Sequence, residues 1–307
     1  MDASALSFNT NHSSEIRELN VFGKRLTYSE YGAAQGTALF FFHGWPGSSK
    51  QGVILDQAAK ELGVRVISIN RPGILGSDLV VGRSLKDWGP LVGEVANQLK
   101  LDRFSVLGVS GGGPYALACA WGLAERLDRV VVVSGAPLLR LVSDPNSLFW
   151  VYRYLIWLRS HSPFALNLLL NFIRLLLPLK IHRLGFYTIG RSLPERDRSA
   201  LFEHKFIDEV CQSFEDHLGS GAEALISDAE IYLNDPGFDL KTIKKKVSFW
   251  HGELDRNIPI KVGRKMAAFV PDSEFLTSPT DGHYSLALLE AAKILRWMYD
   301  PNSARSS

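Results

Sequence analysis

A serine in a glycine-rich turn, set between an apolar segment and an alanine-rich segment, constrains the fold of this chain more than any other feature. The turn is GVSGGGP at residues 108–114. Residues 103–107 are typical of a short buried strand, and residues 115–127 of a helix. A strand, a Gly-x-Ser-x-Gly turn and a helix together form a nucleophile elbow, whose strained backbone lifts the serine hydroxyl clear of the chain. Ser110 is therefore a candidate nucleophile.

The same turn is compatible with a phosphate-binding loop at the N-terminus of the following helix. A Gly-x-Ser-x-Gly pattern also arises by chance in about a tenth of chains of this length. Phosphate loops carry G-x-G-x-x-G or a lysine after the glycines, whereas Ser110 is followed by Gly-Gly-Gly-Pro-Tyr. The rest of the chain has to decide between the two interpretations.

The size and charge of the chain limit the classes of protein to which it can belong. Its 307 residues suffice for one large domain or two smaller ones. A net charge of +2 gives no field that attracts nucleic acid, so no such partner is expected. Cys119 and Cys211 are too few for a disulfide framework or a cysteine-based metal site. Residues 1–14 are polar and lack the features of a signal peptide, which predicts a disordered tail and a cytoplasmic location.

Strand-like and helix-like segments alternate along most of the chain. A hairpin is predicted at residues 16–31, with its turn at Phe22 and Gly23. Further strands are predicted at 38–42, 64–69, 103–107, 130–133, 247–251 and 274–277, and helices at 88–99, 115–127, 259–269 and 284–299. This alternation predicts an α/β fold in which helices cover both faces of a mostly parallel sheet.

The alternation stops between residues 138 and 239, where leucine- and aromatic-rich segments predict helices. These helices are expected at 148–158 and 164–179, followed by a more polar helical region at 194–233. Neither apolar helix is a clean membrane span, because polar residues interrupt both. The interrupting residues are Arg153 in the first helix and Asn167, Asn171, Arg174 and Pro178 in the second.

These patterns predict one core domain with a helical cap inserted into it. The core comprises residues 15–137 and 240–300, the cap comprises residues 138–239, and residues 301–307 form a disordered tail. The apolar helices of the cap are expected to pack on the core and line a pocket. Weak peripheral contact with a membrane is the alternative role for them.

A serine becomes a strong nucleophile only when a base removes its proton and an acid orients that base. The predicted base is His283, in a turn between the last strand and the last helix, because no other histidine occupies such a loop. The predicted acid is Asp255, which follows the strand at 247–251, although Glu253 and Asp281 compete for this role. All three residues come after strand ends, where open α/β sheets bind ligands. Their order of serine, aspartate and histidine is the order of the nucleophile-elbow hydrolases.

Acyl transfer also needs N–H donors for the oxyanion that develops in the transition state. One predicted donor is the backbone N–H of Gly111, directly after the serine. The other is the backbone N–H of Trp45 in the loop after the strand at 38–42, because Pro46 has no N–H. A plain Gly/Pro turn is the alternative interpretation of this loop.

At this point the chain resembles the α/β-hydrolase family over residues 16–299. The motifs that carry the resemblance are HGWPG at 43–47, NRPGILGS at 70–77, the elbow, HGELD at 251–255 and Gly282-His283. The resemblance implies an eight-stranded, mostly parallel sheet with a helical cap after the sixth strand. Asn70 departs from the pattern, since many relatives carry Asp there, and the position is expected to shape a turn. Epoxide hydrolases and haloalkane dehalogenases of this family use an Asp nucleophile, so Ser110 argues against both.

The expected activity is that of a serine hydrolase acting on a carboxylic ester or thioester through an acyl-enzyme on Ser110. The apolar cap favours a small substrate with a hydrophobic acyl or aromatic group, and neither a metal nor an organic cofactor is expected. An acyltransferase or a C–C bond hydrolase would use the same triad, and a non-catalytic ligand-binding protein is a further alternative. The identity of the substrate and the oligomeric state stay open at this stage.

Overall fold

Eight strands form a single sheet at the centre of the computed structural model, which describes residues 15–142 and 148–299. The strands are β1 (Arg17–Val21), β2 (Lys24–Gly32), β3 (Thr37–Phe42), β4 (Val64–Ile69), β5 (Phe104–Val109), β6 (Leu127–Val133), β7 (Val247–Gly252) and β8 (Ser273–Ser278). Their order in the sheet is β1-β2-β4-β3-β5-β6-β7-β8. Strand β2 runs antiparallel to both of its neighbours, and the other pairs are parallel. The predicted tails at 1–14 and 301–307 lie outside the described residues.

The helices of the described residues lie before, between and after these strands. They are α1 (Asp56–Leu62), α2 (Trp88–Gln98), α3 (Gly113–Gly122), α4 (Trp150–His161), α5 (Pro163–Leu176), α6 (Ile181–Arg191), α7 (Glu195–Arg198), α8 (Ile207–Ser220), α9 (Ala222–Leu233), α10 (Ile260–Ala267), α11 (His283–Leu289) and α12 (Ala291–Tyr299). Helices α4 to α9 all come between β6 and β7, in the segment predicted to form the cap.

Two apolar cores cover the two faces of the sheet, because successive side chains of a strand point to opposite faces. In β3, Phe40 and Phe42 pack in the core formed with α2, α3 and α10. Leu39 and Phe41 pack in the core formed with α1, α11 and α12. Burial on both faces explains why β3 is a continuous apolar run. The α/β fold with a mostly parallel eight-stranded sheet, predicted from the sequence, is confirmed.

Several predicted helix boundaries were wrong. The helix predicted at 115–127 ends at Gly122, and Leu127 is instead the first residue of β6, where it is fully buried and pairs with Phe104. The helix predicted at 284–299 is two helices that meet at Glu290. The region predicted at 194–233 contains α7, a π-helical turn (Ser199–Glu203), α8 and α9. Helices α1 and α6 were missed, since the first is only 7 residues long and the second contains two glycines.

No single helix among residues 15–142 and 148–299 is long and apolar enough to cross a membrane. The segments Pro163–Leu179 and Ile181–Arg191 have the length and apolar composition of a membrane span only when they are taken together, and the chain bends by 98° between them.

Candidate active site

The turn at Ser110 has the sharp backbone that the sequence predicted. Ser110 directly follows β5 and has a positive φ of 51°, a left-handed conformation that is strained for a serine. A Cβ atom at Gly108 would collide with the carbonyl oxygen of Gly112, and a Cβ atom at Gly112 would collide with the carbonyl oxygen of Phe42. Glycine is therefore required at both positions for the helix to turn back against the sheet this closely.

The hydroxyl of Ser110 lies at one end of a chain of hydrogen bonds. Ser110 Oγ is 3.1 Å from Nε2 of His283, and Nδ1 of His283 is 2.8 Å from Oδ2 of Asp255. The other oxygen of Asp255 accepts hydrogen bonds from the backbone N–H groups of Asn257 (2.9 Å) and Ile258 (2.8 Å). These bonds fix the carboxylate, and the carboxylate in turn fixes the imidazole. The three residues predicted as nucleophile, base and acid thus come together in the order that proton transfer requires.

The two competing carboxylates lie elsewhere. Glu253 is exposed to solvent. Asp281 is buried, but its carboxylate pairs with Arg196 at 2.7 Å and accepts a hydrogen bond from Ser278 Oγ at 2.5 Å. Within the part of the chain that the structure describes, neither carboxylate is hydrogen-bonded to His283, which favours Asp255 as the acid.

The backbones of Trp45 and Gly111 lie side by side next to the serine. A Cβ atom built on Gly111 would be 2.7 Å from the backbone nitrogen of Trp45. Among the described residues, neither N–H group donates any of the backbone hydrogen bonds found outside the helices and strands. The two peptides thus lie close enough together to serve as the predicted pair of oxyanion donors.

Burial and charge act in opposite directions on the imidazole of His283. Burial alone would lower its pKa, but the nearby carboxylate of Asp255 outweighs burial and raises the pKa above the ordinary 6.5. Burial alone would raise the pKa of Asp255, and the imidazole reverses this effect and lowers it. The lowered pKa keeps Asp255 ionised, and a negative charge at this position favours the protonated form of the His283 imidazole.

A buried carboxylate that the sequence analysis missed holds the helix of His283 in place. Asp197, on α7 of the inserted segment, accepts hydrogen bonds from the backbone N–H groups of His283 (3.1 Å), Tyr284 (3.1 Å) and Ser285 (2.8 Å). It thus satisfies the free N–H groups in the first turn of α11, where a negative charge is favourable. Glycine is needed at position 282, because a Cβ atom there would contact this carboxylate.

A second buried cluster, also missed, joins the inserted segment to the core. Asp228 on α9 is fully buried and receives hydrogen bonds from Arg71 Nε (2.9 Å), Arg83 Nη2 (2.5 Å) and the hydroxyl of Tyr115 (2.7 Å). Burial alone would raise the pKa of Asp228, but the two guanidinium groups hold it far below its usual range. Asp228 therefore carries a buried negative charge that compensates two arginines.

Arg71 connects this cluster to the predicted oxyanion loop. Its Nη1 donates to the carbonyl oxygen of His43 (2.6 Å), and its Nη2 donates to the carbonyl oxygen of Gly44 (3.0 Å). The carbonyl of Gly44 and the N–H of Trp45 belong to one planar trans peptide and point in opposite directions. Holding the carbonyl on the side of Arg71 thus directs the N–H of Trp45 away from it. The loop at 70–77 is one of the motifs that carry the family resemblance, but its sequence does not indicate this role for the arginine.

Removal of the buried charge at position 228 is expected to destabilise the fold. Asp228→Ala leaves Arg71 and Arg83 buried without a counter-charge, and such changes lower the free energy of unfolding by about 3–5 kcal/mol. The matched control is Asp128→Ala, whose carboxylate pairs with Arg103 where the side chains are 40% and 58% exposed. Its expected loss is about 1 kcal/mol or less. Urea denaturation followed by circular dichroism measures both, and equal losses would contradict the role assigned to Asp228.

Two cavities meet at Ser110. One is a cavity of about 120 Å³ with an almost entirely apolar surface, lined among others by Leu139, Leu166, Leu233 and Ile258. The other is a wider cleft of about 1070 Å³ that reaches His283 as well. The residues common to both walls are Trp45, Ser110, Tyr152, Leu155, Leu170 and Leu225. The serine therefore stands at the junction of a small apolar space and a large mixed one.

Comparisons with known proteins agree with this architecture. No family model and no curated protein matches the chain. Solved structures do match: an α/β-hydrolase fold protein from Nakamurella multipartita has a TM-score of 0.66 and 20% identity, over 92% of this chain and 99% of that one. An esterase from Exiguobacterium antarcticum has a TM-score of 0.66 and 16% identity, over 92% and 98% of the two chains. An enol-lactonase from Burkholderia xenovorans has a TM-score of 0.65 and 16% identity, over 92% and 99%. The chain therefore has the α/β-hydrolase fold, as its motifs predicted.

Proposed function

We propose that this protein is a serine hydrolase that cleaves carboxylic esters through an acyl-enzyme on Ser110. The observation that carries the proposal is the hydrogen-bonded series Ser110–His283–Asp255, with contacts of 3.1 and 2.8 Å. A protein that only binds a ligand gains nothing from a strained serine aligned with a base and an acid. The structural neighbours named as an esterase and an enol-lactonase agree with chemistry at an ester carbonyl.

Each group has one role in the proposed reaction. Ser110 Oγ attacks the ester carbonyl while Nε2 of His283 takes its proton, and Asp255 holds the imidazole in the required tautomer. The N–H groups of Trp45 and Gly111 stabilise the negative charge on the carbonyl oxygen. His283 then donates the proton to the leaving alcohol oxygen. Water, activated by the same histidine, releases the acid and restores Ser110.

The position of His283 supports an assignment of the two cavities. His283 must reach the leaving oxygen to protonate it, and it lines the wide cleft but not the apolar cavity. The alcohol part of the ester is therefore assigned to the wide cleft, and the acyl part to the apolar cavity. A cavity of about 120 Å³ is slightly smaller than the roughly 150 Å³ cavity that holds a benzene ring. The favoured substrate is thus an ester of a small apolar acid with a larger alcohol.

Covalent labelling tests the proposed function directly. The protein is incubated with a fluorophosphonate, and the labelled peptide is identified by mass spectrometry. We expect the label on Ser110, together with hydrolysis of p-nitrophenyl butyrate. If the folded protein is not labelled and does not hydrolyse the ester, the proposal is refuted. If Ser110 is labelled but the main reaction is acyl transfer to an added alcohol, the protein is an acyltransferase. If Ser110 is labelled and the protein cleaves a diketone but no ester, it is a C–C bond hydrolase.

The apolar cavity is expected to set the acyl length. Across p-nitrophenyl esters, kcat/KM should be highest for acyl groups of about four to six carbons and should fall for longer chains, which exceed a benzene-sized space. Ala229→Phe places a ring in the wall of this cavity and should shift the optimum to acetate. The matched control Gln57→Phe places the same ring in the wide cleft and should keep the wild-type optimum. The cavity assignment fails if Gln57→Phe, and not Ala229→Phe, changes the acyl preference.

A further inference from the structure

Helices α5 and α6 expose an unusual amount of apolar surface. The exposed side chains are between 58% and 79% accessible, and they are Phe164, Leu168, Phe172, Leu175, Leu179, Ile181 and Leu184. The first four lie on α5 at spacings of four, four and three residues, which place them on one face of that helix. Soluble monomers rarely expose contiguous apolar patches of this kind without a binding role. We call these seven residues the exposed apolar face.

Packing within the protein accounts only for the opposite side of α5. Leu166 and Leu170 are buried, and both line the apolar cavity beside Ser110. They also pack against Leu158 and Leu225 of the neighbouring helices. The expectation that the apolar helices pack on the rest of the protein and line a pocket thus describes one side of α5, and the exposed apolar face needs another explanation.

The segment of the chain that carries the exposed apolar face contains basic residues but no acidic ones. Residues 148–194 contain no Asp or Glu, although the whole chain has 32 acidic residues in 307. The same stretch contains six basic residues: Arg153, Arg159, Arg174, Lys180, Arg183 and Arg191. Within the described ranges, only Arg159 and Arg183 among these form ion pairs. The uncompensated cations include Arg174 and Lys180, which lie next to exposed leucines.

We propose that the exposed apolar face docks this protein onto the surface of a bilayer that contains anionic phospholipids. A helix with an apolar face and basic flanks inserts that face at the boundary between headgroups and acyl chains. Anionic headgroups attract the adjacent lysine and arginine side chains. Exposed Trp150, Tyr154 and Trp157 on α4, which packs against α5, add the aromatic side chains that favour this boundary.

The 98° bend between α5 and α6 agrees with docking on the surface. Each helix is short, and neither leg reaches the roughly 20 residues that a spanning helix needs. Lys180 lies at the bend and is exposed, so its ammonium group is free to contact headgroups. The opposite side of α5 would still line the cavity beside Ser110 in the docked protein.

Flotation of the full chain with vesicles tests this proposal. Vesicles of phosphatidylcholine are compared with vesicles that also contain about 30% phosphatidylserine. We expect at least about five-fold more protein bound to the second kind, with the excess lost in about 0.5 M NaCl, where surface charges are screened. Phe172→Asp/Leu175→Asp should lower binding at least about ten-fold. The matched control Phe22→Asp/Val81→Asp removes two equally exposed apolar residues outside the helical insertion and should bind as the wild type does.

A charge-reversal pair keeps the test decisive if the first variant folds poorly. Arg174→Glu/Lys180→Glu should lower binding to phosphatidylserine vesicles only, whereas the control Lys261→Glu/Lys265→Glu on α10 should not. Hydrolysis of p-nitrophenyl butyrate in solution should be unchanged in both variants, because neither cavity is lined by Phe172, Arg174, Leu175 or Lys180. Absence of wild-type binding to both vesicles would overturn the proposal. A second result would also overturn it: light scattering shows a dimer, Phe172→Asp/Leu175→Asp dissociates that dimer, and the wild type does not bind vesicles. The exposed apolar face would then be the contact surface between two copies of the chain.

Discussion

Ser110→Ala is expected to lower kcat for p-nitrophenyl butyrate by about 10⁴- to 10⁶-fold, because removal of a triad nucleophile leaves only binding and the oxyanion donors. The fold should survive, since the side chain becomes smaller and Ser110 is partly exposed. Initial rates, with circular dichroism to monitor folding, measure the effect. Labelling by the fluorophosphonate should be lost in the same variant.

Ser134 offers a matched control for this variant. It follows β6, the neighbour of β5 in the sheet, and it also has a positive φ, of 46°. Its hydroxyl has no hydrogen-bond partner in the described part of the chain. Ser134→Ala should therefore keep kcat within about three-fold of the wild type, because no reacting group depends on it. Full turnover by Ser110→Ala would exclude an acyl-enzyme at this position.

Asp255→Asn is expected to lower kcat by about 10⁴-fold, because the imidazole loses its orientation and its counter-charge. It should also change the pH dependence of kcat/KM. His283 must be neutral to accept the serine proton, so activity is lost as the pH falls through the pKa of its imidazole. In the wild type Asp255 raises that pKa above 6.5, so the acid limb should have its midpoint above pH 6.5. In Asp255→Asn the lowering effect of burial is opposed only by the smaller effect of the Asp197 charge, so the midpoint should move to lower pH.

Asp281→Asn is the control for this experiment. Asp281 is buried and lies two residues before His283, but its carboxylate pairs with Arg196. The variant should lose some stability because the ion pair with Arg196 is lost, yet the acid limb of its kcat/KM profile should stay where the wild type has it. If the acid limb of the kcat/KM profile shifts in Asp281→Asn and not in Asp255→Asn, then Asp281 and not Asp255 is the acid that orients His283.

The parts of the site that the sequence predicts are those that depend on local backbone geometry. The elbow needs glycines at fixed offsets from Ser110, and this requirement is visible in a few consecutive residues. Asp255 and His283 follow strands, and the carboxyl ends of parallel strands meet at one edge of the sheet. Both residues could therefore be proposed before their distance was known, and the structure brings them within 2.8 Å of each other.

The missed parts depend on partners that are distant in the chain. Asp197 is separated by 86 residues from His283, and Asp228 by 157 residues from Arg71. Nothing near either aspartate indicates the N–H groups or guanidinium groups that it contacts. The break between α11 and α12 is similar, because neither glycine nor proline marks position 290. Tertiary packing determines these features, and it cannot be deduced from a local sequence pattern.

The contacts of Asp197 and Asp228 bear on how a substrate can enter. Both carboxylates belong to the inserted segment, and their partners hold the proposed base and the predicted oxyanion loop. A hinged lid that swung open as a rigid body would leave two arginines and the first turn of α11 without their acceptors, at a high cost in free energy. We therefore expect the candidate site and the inserted segment to keep their relative positions. If the protein is the proposed ester hydrolase, we expect substrate and product to pass through the wide cleft while the inserted segment stays in place.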